Sequence, residues 1–223
     1  NNLDFSNKEY KSFHSHNEDK ILKTLTKETF TKNVVYVSDA GMPCVSDPGA
    51  TLVEFCIQNE IPYDVLPGAN AILTAYAMSG FAHTTFSFYG FLDHKGVSRA
   101  SKLDDILNDD KLSILYESPH RLLKLLEELS IKDANRTIFL AKEITKLHQN
   151  SYKDTSLNLF EKFKDINIRG EWVVIIEPKE TIGFNLDLDD ILSLDIAPKI
   201  KAKLIAKMTG QSIKDVYQKL LEN

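Results

Sequence analysis

The feature that most constrains this chain is a repeated change of hydrophobic period. Short runs rich in β-branched and aromatic residues alternate with stretches whose apolar residues recur every three or four positions. Val34–Ser38, Ile61–Leu66, Thr85–Leu92, Leu112–Tyr116, Thr137–Lys142 and Glu171–Glu177 read as strands, and Leu52–Gln58, Ala71–Met78 and Ser98–Asn108 as helices. Ser118 and Pro119 open one more helix. Serine is a good cap, and proline in the first turn gives up only an N–H that would be unpaired there. Leu122, Leu123, Leu125, Leu126 and Leu129 supply its apolar face. This alternation predicts an α/β fold with a largely parallel sheet.

Composition shifts near Ser79–Thr85 and Pro178–Asn185 suggest three parts. They are an N-terminal α/β domain over 1–80, a second α/β domain over 81–180 and a helical, lysine-rich tail over 181–223. In the tail, an acidic patch of Asp187, Asp189 and Asp190 precedes helical stretches at Lys199–Met208 and Ser212–Leu221, which Gly210 separates. A length of 223 residues allows one large domain or two small ones. With 43% hydrophobic and 26% charged residues, disorder and collagen-like repetition are disfavoured. No apolar run approaches the roughly 18 residues a membrane span needs, and no cationic-then-apolar leader is seen. Two cysteines, Cys44 and Cys56, do not make a disulfide scaffold and suit a reducing cytoplasm. The chain opens on Asn1 and its first methionine is Met42, so translation is expected to begin upstream.

The net charge of −5 argues against a generic polyanion binder. The charge is uneven, however. Ile196–Asn223 carries +4, with lysines at 199, 201, 203, 207, 214 and 219, which leaves −9 on the rest. A basic tail on an acidic body points to nucleic acid or another anionic partner; the plainer alternative is a solvated helix face.

The densest chemical signal is Val37–Gly49 (VSDAGMPCVSDPG), which directly follows a hydrophobic run. Ligands of open α/β sheets bind at the carboxyl ends of strands, and glycine, proline and aspartate together make a tight polar loop there. The alternative is a plain strand-to-helix turn capped by Asp47 or Ser46. Leu66–Ala71 (LPGANA) repeats the arrangement at the next run and opens a helix, whose first N–H groups are free for an anion or carbonyl. Neither a P-loop nor a G-x-G-x-x-G dinucleotide fingerprint is present.

Ser38–Gly49 resembles the S-D-A-G-T-P-x-I-S-D-P-G signature of the ribosomal small-subunit methyltransferase I family, a branch of the tetrapyrrole-methylase superfamily. Six further segments resemble that family's landmarks in order: His14–Glu18 (HSHNE), Leu66–Ala71 (LPGANA), Phe88–Leu92 (FYGFL), Tyr116–Arg121 (YESPHR), Ala141–Lys146 (AKEITK) and Gly170–Val173 (GEWV). The resemblance implies two α/β domains of the tetrapyrrole-methylase type with a cofactor cleft between them, plus a small C-terminal helical appendage. It implies S-adenosylmethionine as cofactor, a homodimer, and the ribose 2′-hydroxyl of a cytidine in the decoding region of 16S rRNA, on the 30S subunit, as substrate. Carried over by position, Asp39, Ala40, Gly41 and Asp47 of the first loop would face the cofactor. So would Pro67, Gly68 and Ala71 of the second loop, with Tyr116, Ala141 and Gly170 from the second domain. Met42 stands where the family has threonine, and Asn70 where a small residue or proline is usual. The family's first strand and its P-x-G-N-L-x-D loop have no counterpart, so the first domain is expected to be short by a strand–helix unit of roughly 30 residues.

A ribose hydroxyl is a poor nucleophile until a base or cation helps to remove its proton. Glu117 and Glu143 are candidates to accept the proton, and Lys142 or Arg121 to hold a phosphate or stabilise the alkoxide. For Glu117 a helix-start carboxylate is the alternative, and for His120 and Arg121 a structural place in that helix's first turn. His14 and His16, two apart on a strand, would share a face. With no third ligand evident, substrate contact or structure is preferred to a metal. His120, Arg121, Lys199, Lys201 and Lys203 complete the expected RNA contacts. Trp172 is expected in the core. Two other readings stand beside this one: a small-molecule, tetrapyrrole-type methyltransferase on the same fold, or a non-catalytic RNA-binding fragment.

Overall fold

The computed structural model describes residues 8–179 and 187–222. The chain divides into two compact units, Asn1–Lys179 and Glu180–Asn223. The first is built on a five-stranded sheet made of β1 (Phe86–Phe91), β2 (Leu112–Glu117), β3 (Thr137–Lys142), β4 (Asn150–Thr155) and β5 (Trp172–Ile176), in the order β1-β2-β5-β3-β4. Around it lie α1 (Glu18–Leu22), a short 3₁₀ turn (Lys27–Thr31), α2 (Ala50–Gln58), α3 (Ala71–Ser79), α4 (Val97–Asn108), α5 (Pro119–Lys132) and α6 (Ser156–Phe163).

The α/β class is as expected, but the sheet is mixed. Only β1 and β2 pair in parallel; β2–β5, β3–β5 and β3–β4 are antiparallel. The helical crossovers do keep β1, β2 and β3 pointing the same way. The departure arises because β5 enters the gap between β2 and β3 from the opposite end. Two expected strands are not formed. Val34–Ser38 and Ile61–Leu66 pair with no strand among the described residues, and Val35 (81%), Val37 (73%) and Leu66 (78%) stand exposed. A β-branched run becomes a strand only where a neighbour takes its backbone N–H and C=O groups and covers its side chains. β4 and α6 had no clear signal. β4 (NSYKDT) is a polar edge strand without apolar alternation, and α6 begins at the Thr155 cap, whose hydroxyl accepts from Asn158 N–H at 3.2 Å.

Alternation along β2, β3 and β5 divides the core into two layers. Leu115, Ile138, Leu140, Trp172, Val174 and Ile176 face one way, under α4, α5 and α6. Leu112, Ile114, Phe139, Ala141, Val173 and Ile175 face the other, against Ile72 and Ala75 of α3. In α5, Leu122, Leu125, Leu126 and Leu129 are fully buried, as their spacing predicts.

The second unit contains α7 (Leu188–Ser193), α8 (Pro198–Thr209) and α9 (Ile213–Glu222). Ile191, Ala202, Ile205, Ala206 and Val216 form its core. The two lysine-rich helices match expectation to within a residue or so. The acidic patch is instead a helix start: Asp187 Oδ1 accepts from Asp190 N–H at 2.8 Å, and Asp190 Oδ2 from Asp187 N–H at 3.0 Å. This reciprocal capping box satisfies two otherwise free donors. The expected boundary at Pro178–Asn185 falls mostly outside the described residues. No helix among the described residues is long and apolar enough to cross a membrane.

Candidate active site

Two loops and the ends of three strands enclose a cavity of about 460 Å³ in the first unit. The first loop passes four times through left-handed backbone, at Gly41 (φ 80°), Cys44 (68°), Ser46 (62°) and Gly49 (128°). Residues with a side chain adopt such angles at a cost, so the loop must be held from outside. Tyr36 Oη donates to Pro48 O at 2.8 Å, and Ser38 Oγ to Gly41 O at 2.9 Å. At Gly49 a Cβ would stand 2.6 Å from Tyr36 Cε1 and 2.9 Å from Cys44 Sγ, so only glycine lets the loop close. Ala40–Met42 and Val45–Asp47 are thereby turned onto the cavity.

The second loop ends at Asn70, whose Oδ1 accepts from Leu73 N–H at 3.0 Å and caps α3. Asn70 therefore stands out from the motif for a structural reason. A Cβ on Gly41 would lie 3.4 Å from Ala69 O, which puts the two loops side by side. Ala69–Ala71 and Thr74 line the cavity from this side; Phe91, Tyr116–Pro119, Ile144–Lys146 and Glu171–Val173 line it from the strand ends.

Asp47 is the lining carboxylate with no hydrogen bond or ion pair to another described residue. Burial, and then the Asp47 charge, push the Tyr116 phenol and the Cys44 thiol above their ordinary values, which leaves both neutral near physiological pH. Glu117 is differently placed. Strand alternation points it away from Tyr116, into the layer under α4 and α5, where it is 1% exposed. Its Oε1 accepts from Ser118 N–H and from Arg121 Nη2, both at 2.8 Å. Its Oε2 has no hydrogen-bond partner among the described residues and lies 3.9 Å from Arg99 Nη1. Burial raises the Glu117 pKa; the Ser118 N–H and the two guanidiniums oppose that rise. Arg99 also donates to Glu128 Oε2 through Nε (2.9 Å) and Nη2 (2.6 Å) and to Asp93 O (3.0 Å), while Arg121 donates to Leu92 O (2.8 Å). This network fastens the β2–α5 turn, one wall of the cavity, to the end of β1.

A second charged cluster joins the loop after β3 to the turn before β5. Glu143 N–H donates to Glu171 O at 2.9 Å, and Glu171 N–H to Glu143 Oε1 at 2.8 Å. Lys146 Nζ reaches Glu143 Oε1 at 3.1 Å and Glu171 Oε2 at 2.8 Å. The Glu171 N–H, followed by Lys146, holds the Glu143 carboxyl below the usual range.

A family model for Tetrapyrrole (Corrin/Porphyrin) Methylases matches residues 2–159. The "Ribosomal RNA small subunit methyltransferase I" of Helicobacter pylori is 41% identical over 99% of this chain and 79% of its own length. The protein of that name from Campylobacter fetus is 42% identical over 98% of this chain and 82% of its own length. The chain belongs to the ribosomal RNA small subunit methyltransferase I family, within the tetrapyrrole methylases. Solved structures agree on the fold. The methyltransferase CobJ is similar at a TM-score of 0.50 and 22% identity, with 68% of each chain covered. The native uroporphyrin III C-methyltransferase of Thermus thermophilus is similar at a TM-score of 0.50 and 15% identity, with 73% of each covered.

Of the residues that the family motifs single out, Ala40, Gly41, Asp47, Ala71, Tyr116 and Glu117 line the cavity together. Asp39, Pro67 and Gly68 sit on the same two loops without lining it. Ala141 is buried against α3, and Gly170 (φ 85°) directly precedes the lining residue Glu171. Lys142 shares the face of Ile138 and Leu140, and its ammonium lies 5.8 Å from the centre of the Trp172 ring. Trp172 is buried, as expected, and also lines the cavity. His120 is exposed in the first turn of α5, and Arg121 is committed to Glu117. His14 and His16 lie in a turn before α1 rather than on a strand, with their rings 5.9 Å apart. Among the described residues, no group of three His, Cys, Asp or Glu side chains is arranged to hold a metal ion. Lys199, Lys201 and Lys203 lie on α8 in the second unit.

The motif reading passed over Ser46, Asn70, Thr74, Phe91, Ile144, Thr145, Lys146 and Val173, which also line the cavity. Most fall inside the quoted motifs, so position at a strand end was the available signal. Thr74 is the exception. It lies one helical turn beyond Asn70, on the same side of α3.

Proposed function

We propose that this chain transfers a methyl group from S-adenosylmethionine to the ribose 2′-hydroxyl of a cytidine in the decoding region of 16S rRNA. It acts on the 30S subunit in the cytoplasm, as a homodimer. The observation that carries the reading is the charge of the cavity: Asp47 and Glu171 against Lys146, with no hydrogen bond or ion pair to the Asp47 carboxylate among the described residues. That excess of negative charge suits a cationic ligand. The volume falls in the range of about 300–1,000 Å³ usual for small-molecule sites. When bound, S-adenosylmethionine supplies an electrophilic methyl group on a positively charged sulfur.

The chain's own residues supply position and charge. Ala40, Gly41, Pro67, Gly68 and Ala71 allow close backbone approach along the two loops. Asp39 and Asp47 offer carboxylates to the ligand's donors and positive charge. Tyr116, Ala141 and Gly170 contribute from the sheet side, Tyr116 as a neutral phenol. The names of the relatives support RNA as the acceptor, and the lysines of α8, with His14, His16, His120 and Arg121, support contact with it. Of the candidate proton acceptors, Glu117 is the better read as a positioning group, because its carboxylate is tied to arginines on the far face of the sheet. Glu143 is occupied by Lys146 and the Glu171 N–H and holds its charge firmly, which makes it a weak base. The lobes of the cleft are residues 1–80 and 81–180, and 181–223 is the appendage.

Two measurements test this reading. Titration calorimetry should show S-adenosylmethionine binding that Asp47→Asn weakens about tenfold or more, the scale of one lost charged hydrogen bond. Radiolabelled donor and unmethylated 30S subunits should give label that mass spectrometry maps to a ribose of 16S rRNA. Label entering a tetrapyrrole precursor instead, or no binding of the donor, would overturn it.

A further inference from the structure

An RNA substrate must bring phosphates to a cavity whose walls carry an excess of negative charge. Among the described lining residues Lys146 is the one cation. Its side chain is 48% exposed, and its two carboxylate partners are not equivalent. Glu143 is 18% exposed and seated, since its Oε1 also accepts the Glu171 N–H. Gly170 makes room for it: a Cβ there would stand 2.7 Å from Glu143 Cγ. The backbone around this seat is left-handed at Glu143 (φ 49°) and at Thr145 (φ 65°), and a β-branched residue rarely adopts such an angle. Strain of this kind persists where surrounding contacts fix it, commonly beside a ligand. Glu171, by contrast, is 81% exposed, and among the described residues its carboxylate is held by Lys146 alone. An exposed pair of that sort contributes little, so an incoming anion can replace Glu171 readily.

We propose that Lys146 is a substrate-contacting residue that exchanges Glu171 for an RNA phosphate beside the target ribose, while Glu143 keeps it at the cavity wall. This inference rests on the RNA methyltransferase reading. Hydrogen bonds to Glu171 and then Glu143 raise the Lys146 pKa, so the group stays a cation and is no proton acceptor. Its task is to hold and orient a charged substrate as a point charge, which an ammonium does well.

The test compares the wild-type chain with Lys146→Met, Lys146→Arg and Glu171→Gln. For each, kcat and KM on 30S subunits are measured over a range of salt, together with S-adenosylmethionine affinity by calorimetry. K146M should raise KM for 30S subunits roughly tenfold and lower the salt slope by about 0.7–0.9, one phosphate contact. Its cofactor affinity should stay within about threefold of wild type, and K146R should recover most of the loss. E171Q should lower KM for 30S subunits, because it removes the competing carboxylate. An unchanged KM and salt slope in K146M would overturn the inference, as would E171Q weakening RNA use. So would a loss of cofactor affinity in K146M with RNA use intact, which would make Lys146 part of the cofactor wall. Failure of the wild-type chain to bind donor or methylate 30S subunits is read first, and would sink the RNA methyltransferase reading itself.

Discussion

Gly49 shows how closely the first loop is fitted. A single methyl group there meets the Tyr36 ring and the Cys44 sulfur, at a backbone angle (φ 128°) that side chains avoid. Gly49→Ala should cost about 1–3 kcal/mol from the backbone angle alone, read as a lower urea midpoint. It should also weaken donor binding, because Asp47 lies two residues away in the same strained turn. Gly68→Ala is the matched control: nothing lies within 4 Å of its added Cβ, so its stability should change by no more than about 0.5 kcal/mol. If the two variants unfold alike, the tight seat at Gly49 is not what holds the loop.

Arg99 is the strut that joins helix α4 to the β2–α5 turn, and it is buried with Glu117 beneath two helices. Arg99→Met leaves that carboxylate with Arg121 and the Ser118 N–H and removes the Arg99 bonds to Glu128 and Asp93, a loss of about 1.5–3 kcal/mol. Burial already raises the folded-state Glu117 pKa, and losing Arg99 raises it further. The folded chain then holds its proton more tightly than the unfolded one. The penalty therefore grows as pH rises from the ordinary glutamate value and shrinks in acid, where both states are protonated. Denaturant titrations across that range should show R99M closest to wild type at the acid end. Much of this element plan was legible in the sequence. The leucines of α5 and the apolar runs of β2, β3 and β5 announce themselves by period. The Gly-Pro-Asp density of the first loop likewise marks the cavity. What period does not carry is pairing. It misses β4, a polar edge, and reads strands at Val34–Ser38 and Ile61–Leu66, where no neighbour among the described residues is paired. It also does not show that β5 runs against its neighbours. Lys146 escaped for a related reason: a lysine in a connecting loop has no periodic signature, and only the fold brings Glu143 and Glu171 to it.

At the scale of the whole molecule the charge is divided: an acidic cavity lies in one compact unit and a basic helix in the other. Lys199, Lys203 and Lys207 are spaced four apart along α8 and stand exposed, whereas the Lys201 ammonium donates to Leu192 O at 2.6 Å within its own unit. Neutralising Lys199 and Lys203 together in the full chain should reduce the salt slope of RNA binding by about 1.4–1.8, two phosphate contacts. Lys201→Gln should change it less. Equal effects from all three, or none, in a filter-binding series would show that this face does not meet RNA as separate contacts. The position of β5 bears on how such a molecule is made. Among the described residues it is the last strand in sequence, and it is the middle strand of the sheet. A nascent polypeptide lacking it holds two separate ladders, β1 with β2 and β3 with β4, each with an open edge that can aggregate. The strand acts as a keystone, and assembly waits for it. Because residues 180–223 follow it, β5 can be drawn into place while synthesis, at about 5–20 residues per second, is still running.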